Sequence, residues 1–164
     1  MSATGVTTRI GTIAFSKSST AINVTGGNKF SIPFANDNVQ YIFSLPYDAT
    51  LTGISGVFNN WGAITINNQN THIAPFVAIA TPDPGTYNFT IIAESMVYPE
   101  TSYTRGTHSS STVLTATETG MEIEIKAGTP IAIVGGLVSL GTVHQAVQQY
   151  IYMSGSLMIV GEYS

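Results

Sequence analysis

The cleanest pattern in the chain is Met121-Glu122-Ile123-Glu124-Ile125-Lys126, where apolar and charged positions alternate strictly. A period of two places Met121, Ile123 and Ile125 on one face of a strand and the charged side chains on the other. Other short apolar or alternating runs predict further strands at residues 41–45, 51–58, 63–67, 73–80, 87–96, 112–116, 131–134, 137–143, 147–153 and 157–160. Turn clusters separate them: Pro46-Tyr47-Asp48, Asn59-Asn60-Trp61-Gly62, Asn67-Asn68-Gln69-Asn70 and Thr81-Pro82-Asp83-Pro84-Gly85. Gly53, Gly56 and the pair Gly135-Gly136 read as interruptions within the apolar runs. Residues 99–111 read as a polar loop too long for a simple hairpin. Strands at this spacing, with no helical period longer than two turns, predict an all-β sandwich or barrel.

Residues 1–29 differ from the rest. They are polar, with Ile10, Ile13 and Phe15 as the main apolar set, and they end near Gly26-Gly27. They read as an extended N-terminal arm, with residues 30–164 as one domain. Ile13 and Phe15 are two apart, so an extended arm presents both on one side. The expectation is that Ile10, Ile13 and Phe15 dock onto a neighbouring copy by strand addition, with Gly26 and Gly27 as the hinge.

Composition supports the strand reading. The 22 Thr, 18 Ile and 12 Val make β-branched residues about a third of the 164-residue chain. Only 9% of residues are charged, and five Lys and Arg stand against nine Asp and Glu. That balance argues against nucleic-acid binding, which needs a basic surface, and the low charge argues against disorder. No cysteine is present, which excludes disulfides and thiolate chemistry. The most apolar stretch, residues 127–143, is broken by glycines and Pro130, so no membrane span is expected. Residues 1–11 lack the pattern of a secretory signal.

Candidate chemistry is sparse. His72, His108 and His144 are evenly spaced, but they fall at a strand start and in loops, and no carboxylate stands at a ligand spacing. Glu122 and Glu124 share the solvated face of a plain amphipathic strand. No nucleophile elbow or phosphate loop occurs. The chain therefore reads as having no catalytic, cofactor or metal site. Asn23-Val24-Thr25 and Asn88-Phe89-Thr90 match the glycosylation triplet, which chance supplies often in a chain this rich in Asn and Thr. The better lead is the cluster of Tyr150, Tyr152 and Tyr163 beside Met153, Leu157 and Met158, residue types enriched at protein interfaces. A surface with little charge also lacks the usual protection against self-association.

Two segments carry a family resemblance. Residues 41–58, with Pro46, Asp48 and the run Thr50-Leu51-Thr52, resemble a stretch in the C-terminal domains of collagen-like spore-surface glycoproteins of the BclA and BclB type. The second segment comprises residues 130–134, Gly141-Thr142-Val143 and Ser154-Gly155-Ser156-Leu157. The resemblance covers about two thirds of the chain from Phe30 onward and rests on packing and turn residues. It implies a jelly-roll sandwich of the tumour-necrosis-factor and complement-C1q type, assembled as a homotrimer on the exosporium or an appendage of bacterial endospores. Tyr150, Tyr152, Leu137 and Leu157 are the trimer contacts expected on that basis. No Gly-X-Y run is present, so the short arm stands where relatives carry a collagen-like stalk. Head-to-tail stacking of trimers into fibres then follows as an expectation. The alternative is an adhesin or fibre-tip receptor-binding module of a spore or phage, with the polar loops at 67–70 and 101–111 meeting a carbohydrate or surface ligand.

Overall fold

The computed structural model describes residues 7–20, 22–23, 29–31, 42–60, 62–86, 88–145 and 150–163. Twelve strands lie within them: β1 (Thr7–Thr20), β2 (Ile22–Asn23), β3 (Lys29–Ser31), β4 (Ile42–Phe43), β5 (Ala49–Asn60), β6 (Ile64–Ile66), β7 (Ile73–Pro82), β8 (Asn88–Ile91), β9 (Gly106–His108), β10 (Val113–Ile125), β11 (Ile131–Ser139) and β12 (Tyr150–Tyr163). One short 3-10 turn spans Ala93–Ser95. A front sheet has the order β1-β12-β5-β10, and a back sheet the order β2-β11-β7-β8-β3, with β4 also on β11. β6 and β9 form a separate ribbon.

Four of the antiparallel pairs nest. β1 pairs with β12, β4 with β11, β5 with β10, and β7 with β8. Each of these four pairs encloses the next, which is the wrapping of a jelly roll. The expected all-β jelly-roll sandwich is therefore the fold.

Its core lies between the sheets. Leu51, Ile54 and Phe58 of β5 and Leu157 and Ile159 of β12 meet Ile73, Val77 and Ile79 of β7 and Ile131 and Ile133 of β11. A second cluster of Phe76, Ala78, Ala80, Phe89, Ile91, Ala132 and Val134 takes the alternate positions of the back sheet, hence its other face. β7 is thus buried on both faces, which is why it reads as an unbroken apolar run.

Three expectations need correction. The first is the free arm. Residues 7–20 are extended, but they pair along their whole length with β12 of the same chain. Fourteen residues of unpaired backbone would leave many donors and acceptors without partners, and the open edge of β12 supplies them. A boundary between 29 and 30 falls inside β3, which pairs with β8. Gly26 and Gly27, the expected hinge, lie outside the described residues.

The second is the breaking of strands at glycine. β11 runs straight through Gly135 and Gly136, and β12 through Gly155. At Gly135 the reason is space: a Cβ there would lie 2.5 Å from Met153 Sδ and 3.2 Å from the Phe76 carbonyl oxygen. The glycine lets Met153 cross the core. Gly120 works differently. Its φ of +79° lies beside the register shift between Thr119 and Ile123, where an irregularity bends β10 without ending it. Residues 112–116 and 121–126, expected as two strands, are therefore one. The third correction is smaller: residues 99–111 contain β9, and strand structure in 87–96 stops at Ile91.

Candidate assembly face

Alternation on β12 sorts its side chains. Ile151, Met153, Leu157 and Ile159 are buried, while Tyr152, Ser154, Ser156, Met158 and Val160 point away from the core. Directly paired residues share a face, so the register extends this outward surface across the front sheet. Ile10 lies opposite Val160 and Thr12 opposite Met158. Val57 lies opposite Ser154 and Asn59 opposite Tyr152. Val113 continues the Asn59 row on β10.

Five large hydrophobic side chains stand exposed on this one face: Ile10 (75%), Val113 (54%), Val57 and Tyr152 (41% each) and Met158 (38%). The described outward side chains of β1, β12 and β5 carry no charge. Hydroxyls between the apolar groups are bonded within the sheet. Ser55 Oγ and Thr117 Oγ1 are 2.9 Å apart, and Thr52 Oγ1 donates to the Met158 carbonyl at 3.2 Å beside the register shift. Polar groups already bonded laterally lose less when a partner covers them.

The expected contact residues divide. Tyr152 belongs to the face. Leu137 and Leu157 do not: they are 3% and 0% exposed and sit in the intersheet core. Alternation along β12 sends Leu157 inward because it is an odd number of residues from Tyr152 and Met158. Backbone pairing places Tyr150 opposite Thr20, and its side chain lies outside the described residues. Of the arm residues, Ile10 is on the face, whereas Ile13 turns inward and packs against the core. Phe15 pairs with Gly155, and its side chain also lies outside the described residues. Sequence reading set Met158 beside Tyr152 but did not separate it from the inward Met153 and Leu157, and it missed Val57 and Val113. The signal was the outward set Tyr152, Ser154, Ser156, Met158, concealed by treating Gly155 as a break.

The outer edge of β10 borders a trough. One part, about 600 Å³, is lined by Glu118, Glu122 and Glu124 on β10 with Ile92 and Glu94 opposite. The next, about 440 Å³, runs along residues 113–117 with Tyr98, Pro99 and Glu100 opposite. Lys126 at the end of β10 is held above its ordinary pKa by its 2.7 Å bond to Glu124, by that residue's charge and by Asp48 at 4.0 Å.

The histidines stay apart. His108 Nε2 is 2.7 Å from the Thr104 carbonyl oxygen, and its ring meets Tyr103 edge-on. His144 Nδ1 is 2.9 Å from Ser139 Oγ. Among the described residues no three His, Asp or Glu side chains are grouped to hold a metal, and no helix is long and apolar enough to cross a membrane. Among the described residues two buried polar atoms, Asn60 Oδ1 and Tyr103 Oη, have no hydrogen-bond partner. Burial pushes the Tyr103 phenol up to a pKa of about 12.

No family model matches this chain. No curated protein matches it either. Two solved structures, of the infectious bursal disease virus Gx and Gt strains, align over 95% and 94% of this chain at 16% and 14% identity, each with a TM-score of 0.36. The chain spans about a third of the length of those chains, 32% and 33%.

Proposed function

We propose that this protein is a non-catalytic structural subunit that assembles with copies of itself through the outward face of its front sheet. One observation carries the reading: five exposed hydrophobic side chains gather on a sheet face on which the described outward side chains of β1, β12 and β5 carry no charge. Monomeric proteins scatter such residues, and a gathered patch marks an interaction surface. Four strands about 4.8 Å apart and a stretch of about 27 Å from Tyr152 to Val160 give roughly 500 Å² of flat area. That is the order of the roughly 800 Å² each partner contributes to a stable interface.

The family resemblance supplies the finer statement. Three copies gather around one axis with their front sheets inward, and the trimers belong to the outer layer or an appendage of a bacterial endospore. Stacking of trimers into fibres belongs to the same reading. Residues 7–20 are committed to β12, so such stacking would use other surfaces than that stretch.

Sedimentation velocity between about 1 and 100 µM tests the proposal, a range set by the micromolar affinity of modest interfaces. The expected species is a trimer. Met158→Lys, which puts a charge in the middle of the face, should yield monomers with an unchanged circular dichroism spectrum. A wild-type chain that remains monomeric throughout would overturn the reading.

A further inference from the structure

One core-facing row of the front sheet ends in a carboxylate. Ile13 of β1 lies opposite Leu157 of β12, Leu157 opposite Ile54 of β5, and Ile54 opposite Glu118 of β10. Leu157 and Ile54 are buried and Ile13 packs against the core, so the row is aliphatic until it reaches the outermost strand. Paired residues share a face, so Glu118 stands on the inward side. It is exposed because β10 is the last strand of its sheet and the space beside it is the open trough. Glu94 lines the same trough, and neither carboxylate makes an ion pair among the described residues.

The edge itself is otherwise suited to pairing. Val113-Leu114-Thr115-Ala116-Thr117 has no charge and no proline, and three of its residues are β-branched. Its register against β5 is regular from Val113 to Thr119, and no strand among the described residues pairs with its outer side. A regular, uncharged edge is a template for a strand of another chain. Two copies of β10 would meet antiparallel about a two-fold axis. With Thr115 at that axis, Val113 of one copy lies opposite Thr117 of the other, and Glu118 opposite Thr112.

We infer that Glu118 is the residue that closes the β10 edge to strand addition and so directs association to other surfaces. An added strand would cover the trough and take the inward carboxylate out of water with no cation to receive it. Burial of an unpaired charge is strongly unfavourable, and Glu94 in the same trough adds like charge. Glu124 cannot act in this way. It lies opposite Thr50, which lies opposite the outward Val160, so its carboxylate would keep its water after a strand was added. The register shift beyond Thr119 ends the regular edge one residue past Glu118, so an added strand that avoids Glu118 has only residues 113–117 to pair with.

The test uses the Met158→Lys background, in which the proposed face contact is absent. Glu118→Val continues the aliphatic row to the edge. With native circular dichroism confirmed, M158K/E118V should associate in sedimentation velocity between about 1 and 100 µM, reaching half-association at a concentration about tenfold or more below that of M158K. Amide hydrogen exchange at residues 113–119 should slow as it associates. M158K/E118D keeps the charge and should behave as M158K. If the folded M158K/E118V stays monomeric, or associates with exchange at 113–119 unchanged, the guard is refuted. Concentration-dependent protection of 113–119 in M158K itself would also refute it. Should E118V misfold, E118Q removes the charge alone and gives the same decision. The face contact is judged separately, by wild type against M158K; if wild type is monomeric at every concentration that contact falls, and E118V in the wild-type chain still decides the guard.

Discussion

Replacing Leu157 by Ala separates two roles for one side chain. The sequence suggested a contact between subunits; the structure puts Leu157 at 0% exposure inside its own jelly roll, on the row shared by Ile13 and Ile54. β1 and β5 flank it, and the back sheet closes over it. Such a site relaxes poorly, so the lost transfer free energy and the residual cavity both count. Leu→Ala changes of this kind cost about 3–5 kcal/mol. At about 2–4 °C per kcal/mol for a chain of this size, the melting temperature should fall by about 6–20 °C. The informative background is Met158→Lys, in which the subunits are expected to be apart. Urea unfolding of Met158→Lys with and without Leu157→Ala should show the same loss, independent of protein concentration. A loss below about 1 kcal/mol in that background, appearing only when subunits associate, would refute the core assignment.

Other substitutions probe the core and its buried polar atoms. Gly135→Ala should cost about 1–3 kcal/mol by overpacking against Met153 and the Phe76 carbonyl; pairing it with Met153→Ala should give less than the sum of the single losses in chemical denaturation, because the two changes share one space. The raised Tyr103 pKa means the folded state holds the phenol proton more tightly than the unfolded chain. The stability it contributes is complete below pH 10 and is lost as pH rises toward about 12, by about 3 kcal/mol; urea midpoints across that window should fall for wild type and less for Tyr103→Phe. Asn60 is fully buried and its Nδ2 donates to the carbonyls of Gly62 at 2.9 Å and Ser109 at 2.7 Å, so Asn60→Ala should cost about 2 kcal/mol in the same assay.

What could be seen in the sequence follows from which faces meet water. β10 declared itself over residues 121–126 because one side is wet and the other dry, and alternation records that contrast. β7 could be placed but not oriented, since both its faces are buried. Gly135 looked like a break because the residue that needs its empty space, Met153, is 18 positions away and belongs to another strand. β1 looked like an arm for a related reason: its stability comes from a ladder with the far end of the chain, and no local pattern contains that partner. The exposed apolar patch was half visible. Tyr152 was identified, but Leu157 was counted with it because an apolar cluster in sequence does not say which members point the same way until the strand is known to be continuous.

The nesting of the pairs also sets an order of events during synthesis. Of the described strands β1 is made first and its partner β12 last. Until then the N-terminal strand has no ladder and the β12-facing edge of β5 is bare. Closing a loop that spans nearly the whole chain must precede any gain from that pairing, and the cost of closure grows with its length. A ribosome-stalled chain ending before Tyr150 should therefore show residues 7–20 open to protease, with protection arriving only once β12 has emerged. The same arithmetic makes β12 the sensitive strand for a premature stop, because its loss unfastens two others.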